Sequence, residues 1–527
     1  ERRVDSLFAE WSRGDTPGAA VAVVRDGKVV LSKGYGLANL EHKVPITPST
    51  VFDVASVSKQ FAGLSVAMLV DQGKIQLKDD IRKYIPEMKD IGATITIDNL
   101  VHHTSGLRDW PGSLRLAGWM QDDVFSFDQI LAMAYRQRTL NFAPGSEYTY
   151  SNTGFNLLAE MVKRVTGKTF RAWTDENLFQ PLGMTASHFH DDWNEVVPNR
   201  ALGYMRGPGG KFRAITNNLT ALGSSSLFTT VEDLAKWVIN FDDAKVGGKK
   251  AMELSRTRGV LTDGTTIPYA FGIVHGEYRG QPTLSHGGSW AAFATTVLYF
   301  PAKRFGVVVL ANSPIVPSGR RGFDIADIYL GSELGPVPAD SLAAVASAPT
   351  VDVPTATLDR YVGLYRAGPG RFIRIRRDGN QLEAEVPGMG KSRLAARGDT
   401  LFWSEATRTT VAFNRTGTAV RVGNQRDPYA KLAPSREPTR GQLASYAGEY
   451  ESAELLVSYR VEVTDSGLVM RNPRTGVSPL RWVWRDEFKG SMGLNSVEFI
   501  RDKAGKITGL SIDLGERSRD IRFVRRR

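Results

Sequence analysis

The last third of the chain contains an internal repeat, and this repeat restricts the possible folds of that region more than any other feature. The segment LDRYVGLY at Leu358–Tyr365 matches LASYAGEY at Leu443–Tyr450, an offset of 85 residues. Alternating apolar and polar runs such as Phe372–Arg376 (FIRIR) are typical of half-buried strands. A unit of about 85 residues with about eight short strands favours a small antiparallel barrel that closes its own edges. We therefore predict two β-barrel domains, at residues 358–435 and 441–527.

The first part of the chain, residues 1–335, has a different pattern. Two strand-like runs, Ala19–Arg25 and Val29–Tyr35, surround Asp26-Gly27, a pair that is typical of a two-residue hairpin turn. A helical middle region follows, and further strands are predicted at Tyr269–Val274, Ala294–Phe300 and Phe305–Leu310. Strands at both ends with helices between them predict an α+β domain, in which the terminal strands meet in one antiparallel sheet beside a helical cluster.

Composition excludes several classes of protein. Hydrophobic residues make up 42% and charged residues 23% of the 527, which is ordinary globular usage. The longest apolar stretches, such as Ala19–Val24, are far shorter than the roughly 20 residues that span a bilayer, so no membrane span is predicted. The chain has no cysteine, which excludes disulfides, thiolate nucleophiles and Cys-ligated metal sites. The Pro- and Ala-rich stretch 336–357 is predicted to be a linker.

The positive charge is concentrated in the barrel region. Residues 1–350 hold 36 basic and 35 acidic side chains, against 31 and 21 in residues 351–527. A basic region could bind an anionic surface, but solvated arginines on strand faces explain the same counts. We predict no nucleic-acid partner, because no zinc-finger spacing or RNA-binding signature accompanies the charge.

The strongest chemical motif is Ser56-Val57-Ser58-Lys59, which opens a helix-like run at Gln60–Asp71. Serine and lysine three positions apart share one face of a helix, with about 5–6 Å between their Cβ atoms. The pair places an amine beside a hydroxyl at a helix N-terminus, where backbone N–H groups favour developing negative charge. A serine hydroxyl needs such a neighbouring base to become a nucleophile. By itself, the motif is weak, and a capping serine with a solvated lysine is the default explanation.

Two further motifs carry polar groups that could share a cleft with this pair. Tyr150 and Asn152 lie in a Y-S-N sequence before a helix-like run, where a tyrosine could exchange protons and an amide could hold a carbonyl. His286-Gly287-Gly288 precedes Ser289 and a strand, and glycines at a strand edge allow a substrate backbone to approach. In isolation, the first is explained by loop packing with a helix cap, and the second by an ordinary turn.

In this order and with these long gaps, the three motifs resemble those of the serine β-lactamase and penicillin-binding-protein superfamily. The resemblance is strongest to its class C β-lactamase, esterase and D-aminopeptidase branches, and the flanking segment His103-Thr104-Ser105-Gly106-Leu107 agrees with it. One such domain followed by two lipocalin-like barrels is similar to the layout of D-stereospecific aminopeptidases. The superfamily's third motif often begins with lysine, whereas this chain has His286, which puts efficient β-lactam hydrolysis in doubt.

The resemblance implies acyl transfer through an acyl-enzyme. It implies nucleophilic attack by Ser56, proton transfer by Lys59 and Tyr150, and an oxyanion hole built from the N–H groups of Ser56 and Ser289. The substrate-binding residues that it implies are Asn152, His286, Gly287 and Gly288. We expect a serine hydrolase acting on small peptides, amides or esters, including substrates with a D-residue. The alternatives are a weak β-lactamase or DD-peptidase, an acyl transferase, and a penicillin-binding sensor without turnover.

The remaining expectations concern cofactors, assembly and location. No cofactor is expected. His188 and His190 alternate as metal ligands can, but a polar surface loop explains them without a metal, because no third spaced ligand set accompanies them. The chain is a candidate for homo-oligomer formation. We expect a periplasmic or secreted protein whose leader has been removed, since the numbering begins at Glu1.

Overall fold

The structure is a computed structural model that describes residues 1–337, 342–386, 390–425, 427–491 and 493–526. The chain divides into two compact units, Glu1–Pro336 and Val337–Arg527. The helices of the first unit are α1 (Arg2–Phe8), α2 (Ser58–Asp71), α3 (Ile97–Val101), α4 (Trp110–Leu116), α5 (Phe127–Arg136), α6 (Asn152–Thr166), α7 (Phe170–Thr174), α8 (Gln180–Leu182), α9 (Val231–Asp243), α10 (Gly248–Leu254) and α11 (Ser318–Leu330).

The strands of the first unit form one large antiparallel sheet and several short pairs. They are β1 (Ala19–Arg25), β2 (Lys28–Tyr35), β3 (Leu37–Asn39), β4 (Val44–Pro45), β5 (Phe52–Asp53), β6 (His188–Phe189), β7 (Gly203–Arg206), β8 (Phe212–Ile215), β9 (Leu227–Thr229), β10 (Val274–Tyr278), β11 (Gln281–Trp290), β12 (Phe293–Phe300) and β13 (Phe305–Ala311). The large sheet has the order β10-β11-β12-β13-β1-β2. Strands β1 and β13 pair from Ala19 with Ala311 to Arg25 with Phe305, so the predicted meeting of the terminal strands is confirmed.

Strand β1 is buried on both faces of this sheet. Ala20, Ala22 and Val24 belong to the core formed with helices such as α2, α6 and α9. The alternate residues of β1, among them Val21 and Val23, belong to a second core with α1 and α11. Because successive side chains of a strand point to opposite faces, a strand covered on both sides is an almost continuous apolar run. The sheet is therefore a layer between two sets of helices.

The predicted strand at Tyr269–Val274 is wrong. The chain bends at Gly272, which has a φ of +86°, and its N–H donates to the carbonyl oxygen of Ala270 at 2.9 Å. Strand β10 begins only at Val274. A Cβ atom at Gly272 would lie 2.4 Å from the backbone carbonyl of Lys59, so this turn packs directly against helix α2. Tertiary packing on α2 overrides the local strand preference of the apolar residues.

The second unit contains two closed antiparallel barrels in the chain that the structure describes. The first follows α12 (Ala343–Ser347) and α13 (Thr355–Tyr361), and its strands are β14 (Gly363–Gly368), β15 (Arg371–Asp378), β16 (Gln381–Val386), β17 (Gly390–Ala396), β18 (Leu401–Ser404), β19 (Thr409–Phe413), β20 (Ala419–Val422) and β21 (Tyr429–Lys431). The second follows α14 (Arg440–Leu443), and its strands are β22 (Gly448–Ser452), β23 (Val457–Thr464), β24 (Gly467–Asn472), β25 (Gly476–Trp484), β26 (Glu487–Lys489), β27 (Ser496–Arg501), β28 (Ile507–Asp513) and β29 (Ile521–Arg525).

The sequence repeat corresponds to the same hydrogen bond in both barrels. The Tyr365 hydroxyl donates to the carbonyl oxygen of Tyr361 at 2.9 Å, and the Tyr450 hydroxyl donates to that of Tyr446 at 2.7 Å. Tyr365 and Tyr450 are completely buried. Each hydroxyl therefore anchors the first strand of its barrel to the helical turn that precedes that strand. Some of the surplus arginines pair with acidic residues on neighbouring strands, as Arg460 does with Glu449 at 2.7 Å.

None of the helices in the described residues is long and apolar enough to span a bilayer.

Helix α2 packs so closely that one of its positions requires glycine. A Cβ atom at Gly63 would lie 1.9 Å from the carbonyl oxygen of Phe271, whereas one at Gly322 on α11 would lie 3.6 Å or more from its neighbours. We expect Gly63→Ala to lower the free energy of unfolding by about 1–3 kcal/mol through overpacking. Gly322→Ala should be neutral or stabilising by up to about 1 kcal/mol, because alanine is the better helix former. Thermal unfolding of both variants tests this contrast, and an equal effect at the two sites would contradict it.

Candidate active site

The Ser56 segment lies at the start of the buried helix α2. Ala55–Val57 forms one turn of 3-10 helix that continues directly into α2 at Ser58. The Ser58 hydroxyl accepts the Leu227 N–H at 3.1 Å, and the Trp237 indole N–H donates to Gln60 at 2.8 Å. These bonds fix the first turn of α2 against the surrounding core. Lys59 therefore lies on the same helical face as Ser56, as the spacing predicted.

Lys59 is completely buried and surrounded by oxygen acceptors. Its Nζ donates to Ser56 Oγ at 3.1 Å, to Asn152 Oδ1 at 2.7 Å and to the carbonyl oxygen of Ser224 at 2.7 Å. Three acceptors match the three N–H bonds of an ammonium group. A buried charge is tolerated only where such hydrogen bonds replace water, so the pocket is built around a charged Lys59.

Tyr150 lies against the same ammonium group. Lys59 Nζ is 4.8 Å from the centroid of the Tyr150 ring and 5.7 Å from that of Phe155. The ring of His103 lies 4.3 Å from that of Tyr150, and His103 Nδ1 accepts the Ser151 N–H at 3.2 Å. A cation this close to an aromatic ring is attracted to it and favours a phenolate over a phenol. The tyrosine is thus held beside Lys59.

Asn152, the first residue of α6, is oriented by Asp109. The Asn152 backbone N–H donates to Asp109 Oδ1 at 2.8 Å, and the side-chain Nδ2 donates to Oδ1 at 2.9 Å and Oδ2 at 3.2 Å. Because a carboxylate accepts only, the amide nitrogen must face Asp109 and the amide oxygen must face Lys59. Asp109 is buried, so this orientation is held inside the protein.

His286, on β11, has both ring nitrogens occupied. Nδ1 lies 2.6 Å from the carbonyl oxygen of Gly287, and Nε2 lies 3.0 Å from the hydroxyl of Tyr269. A carbonyl only accepts, so Nδ1 carries the proton and Nε2 accepts from Tyr269. Burial, followed by the charge of Lys59, lowers the pKa of His286 to about 3. The ring is therefore neutral at neutral pH.

The glycines after His286 let β11 pass beside the Ser56 turn. A Cβ atom at Gly288 would lie 2.2 Å from the carbonyl oxygen of Val54 and 3.0 Å from the backbone nitrogen of Ser56. Gly287 and Ser289 are exposed on this strand. The close approach places the Ser289 backbone in the region of Ser56, where the oxyanion hole is predicted.

Sequence reasoning missed three members of this site, namely Asp109, Ser224 and Tyr269. Asp109 and Tyr269 act on Asn152 and His286 through contacts between residues that are far apart in the sequence. Ser224 contributes a backbone carbonyl, a group that every residue type possesses. The local signal for Asp109 is its position soon after the His103–Leu107 segment, but nothing in that spacing indicates its partner.

The structure adds Glu195 to the pair of histidines weighed as metal ligands. Ligand atoms of His188, His190 and Glu195 lie within 4.8 Å of one another. However, Arg171 binds both oxygens of Glu195, at 2.6 and 2.9 Å, and the charges of Arg171 and Arg200 lower the pKa of both rings after the larger effect of burial. The positive charges of the two guanidinium groups beside these rings repel a divalent cation, so the cluster disfavours metal binding.

Comparison with known proteins identifies the family. The model of the family described as Beta-lactamase matches residues 4–329. The chain belongs to the beta-lactamase family. A D-aminopeptidase of Gluconobacter oxydans is 29% identical over 296 residues, 56% of each chain, so the match spans about half the length of that relative. A D-aminopeptidase of Brucella melitensis is 26% identical over 521 residues, covering 94% of this chain and 93% of that protein.

Solved structures share the fold of this chain. An octameric penicillin-binding protein homologue from Pyrococcus abyssi has a TM-score of 0.59 and 21% identity, covering 82% of this chain and 99% of its own. A D-amino acid amidase from Ochrobactrum anthropi has a TM-score of 0.54 and 18% identity, covering 63% and 99%. The predicted α+β domain of β-lactamase type followed by two barrels is thereby confirmed.

The Asp109–Asn152 contact can be tested by removing the carboxylate. In Asp109→Ala, the Asn152 amide is free to turn its nitrogen toward Lys59, so we expect kcat/KM to fall about 10- to 100-fold, or about 1.4–2.8 kcal/mol. Asp122→Ala, at an exposed turn position, is the control. Unchanged hydrolysis of an ester substrate by a folded Asp109→Ala variant would show that Asn152 is oriented without Asp109.

The neutral state of His286 predicts how stability depends on pH. Unfolding releases the ring to an ordinary pKa near 6.5, so the unfolded chain takes up a proton that the folded site excludes above pH 3. The contribution of the buried neutral His286 to the free energy of unfolding is fully present above about pH 6.5. It falls by up to about 1.4 kcal/mol per pH unit on acidification. We expect the free energy of unfolding of His286→Gln to depend less steeply on pH between 6.5 and 4.5. The exposed His42→Gln is the control, and equal slopes in the two variants would contradict the neutral ring.

Proposed function

We propose that the protein is a serine hydrolase that cleaves amide or ester bonds through an acyl-enzyme on Ser56. The proposal rests on one observation above all: the buried Nζ of Lys59 lies 3.1 Å from Ser56 Oγ. Ser56 Oγ attacks the substrate carbonyl, and its proton passes to the Tyr150–Lys59 pair. The oxyanion accepts hydrogen bonds from the N–H groups of Ser56 and Ser289. The proton then passes to the leaving amine or alcohol, and water releases the acyl group.

Tyr150 is proposed as the base in this sequence of steps. Lys59 Nζ contacts Ser56 Oγ, Asn152 Oδ1 and the Ser224 carbonyl oxygen, and an ammonium group can donate one N–H to each of them. Its charge, 4.8 Å from the Tyr150 ring centroid, stabilises the phenolate that accepts the serine proton. Lys59 then contributes by electrostatics and Tyr150 by proton transfer.

The substrate class that we propose is D-amino acid amides, esters and short peptides. The neutral His286 supplies no positive charge for a substrate carboxylate, which disfavours β-lactams and carboxylate-bearing DD-peptides. Relatives named D-aminopeptidase and a structural neighbour named D-amino acid amidase support the choice of D-residues. Homo-oligomers, as in the octameric homologue, and a periplasmic or secreted location stay predictions.

A substrate panel with an active-site variant tests the proposal. We expect wild-type protein to hydrolyse p-nitrophenyl esters and D-amino acid p-nitroanilides faster than nitrocefin, and Ser56→Ala to lose at least about 10³-fold in kcat. A fluorophosphonate probe should add one adduct to wild type and none to Ser56→Ala, as read by intact mass. The control is Ser6→Ala, at an exposed position on α1.

Three outcomes would count against the proposal. Activity on nitrocefin alone would reverse the substrate ranking. A stable adduct without turnover would favour a penicillin-binding sensor. Transfer of the acyl group to an added D-amino acid ester in preference to water would favour an acyl transferase.

A further inference from the structure

The residue before Ser56 has a left-handed backbone although it is not glycine. Ala55 has a φ of +47°. This conformation costs an L-residue roughly 1–2 kcal/mol, because the Cβ atom approaches the following carbonyl oxygen. Such strain persists only where the surroundings fix the backbone. The N–H of Ser56, the proposed oxyanion donor, belongs to the peptide that this torsion orients.

Asp53 supplies the hydrogen bond that fixes Ala55. Its Oδ1 accepts the Ala55 N–H at 2.7 Å, and its Oδ2 accepts the Asn217 side-chain N–H at 2.7 Å. The side chain is buried, with a residue exposure of 1%. Both oxygens are thus used as acceptors, which a carboxylate can do without competition from a proton of its own.

Val54, which lies between Asp53 and Ala55, is held by hydrogen bonds of its own backbone. The Val54 N–H donates to the carbonyl oxygen of Leu227 at 3.0 Å, and the carbonyl oxygen of Val54 accepts the Thr295 hydroxyl at 2.9 Å. Gly288 of β11 packs against the same carbonyl. With Val54 held by two strands, the Asp53–Ala55 bond determines how the chain continues into Ser56.

We propose that the ionised Asp53 is a positioning residue for the reaction, which holds the strained Ala55 turn and so aims the hydroxyl and the backbone N–H of Ser56 at the substrate carbonyl. This inference rests on the proposed function, because it assigns Ser56 as the nucleophile. It goes beyond the three motifs, since Asp53 lies outside all of them and does not touch the reacting atoms.

The charge state of Asp53 links this role to pH. Burial raises its pKa to about 6, opposed by hydrogen bonds from Ala55 and Asn217 and by the charge of Arg200. Arg200 lies over the Phe228 ring on β9, the strand that pairs with β5, and its charge also acts on His188 and His190 of the neighbouring segment. Below about pH 6, the carboxyl is neutral, and its hydrogen bonds from Ala55 and Asn217 lose the strength that the negative charge gives them.

Activity and the contribution of Asp53 to stability should therefore change in opposite directions. The folded protein binds this proton more tightly than the unfolded chain, in which the pKa is near 3.8. The contribution of Asp53 to stability therefore grows as pH falls from 6 toward 4. Activity should fall over the same range, because a neutral carboxyl holds the Ala55 N–H, and with it the Ser56 turn, less firmly than a carboxylate does. A merely structural residue would lower stability and activity together.

Two substitutions separate the hydrogen bond from the charge. In Asp53→Ala, the acceptor is lost, and we expect kcat on a p-nitrophenyl ester to fall about 10- to 100-fold with KM within about threefold. In Asp53→Asn, the amide oxygen can still accept the Ala55 N–H, so kcat at pH 7.5 should stay within about tenfold of wild type. The loss of activity near pH 6 should be absent from this variant. Asp15→Ala and Asp15→Asn, at an exposed position, are matched controls.

Hydrogen exchange gives a readout that does not depend on catalysis. Peptides covering residues 53–58 should exchange faster in Asp53→Ala than in wild type or Asp53→Asn, while α9 and the sheet keep their protection. An unchanged kcat in Asp53→Ala would overturn the inference. So would a loss of activity near pH 6 that persists in Asp53→Asn. Absence of turnover and of a fluorophosphonate adduct in wild type would instead refute the proposed function, and the exchange of residues 53–58 would still test whether Asp53 holds the turn.

Discussion

The architecture of the site depends on a buried ammonium group. Removing a charge from water costs several kcal/mol unless the protein replaces the lost hydration. Around Lys59, this replacement comes from three directions: the nucleophile's own oxygen, the amide oxygen of Asn152 and the main-chain carbonyl of Ser224. The charge of Asp109 lies beyond Asn152 and orients it, so the positive group is balanced through an intervening amide. The same cation lies against the ring of Tyr150 and contributes to keeping His286 neutral.

The motifs were recognisable in the sequence because their chemistry is local. Ser56 and Lys59 are neighbours on one helical face, and any helix that begins there brings them together. The glycines after His286 indicate that another part of the backbone lies close to this strand. In the structure, the Val54 carbonyl and the Ser56 nitrogen lie against Gly288. The repeat of 85 residues was also readable, because Tyr365 and Tyr450 make the same bond within four residues of the chain.

The groups that the sequence did not reveal act over long separations or through the backbone. Asp109 is 43 residues from Asn152, and Asp53 is 164 residues from Asn217. No periodicity relates such pairs, and nothing in the local sequence indicates the partner of either aspartate. The wrongly predicted strand at Tyr269–Val274 has the same origin, since packing of Gly272 on the backbone of Lys59 bends a run that would otherwise suit a strand. The neutral state of His286 was not readable from the sequence, because a motif does not show burial.

The pairing of β1 with β13 has a consequence for biosynthesis. Residues 19–25 leave the ribosome early, yet their partners at 305–311 are translated nearly three hundred residues later. Until then, an apolar strand that needs cover on both faces is incomplete, and the layers around Ser56 lack their central support. Contacts between such distant segments form slowly. The nascent chain therefore carries an incomplete sheet, with apolar faces not yet covered, until residues 305–311 have been made.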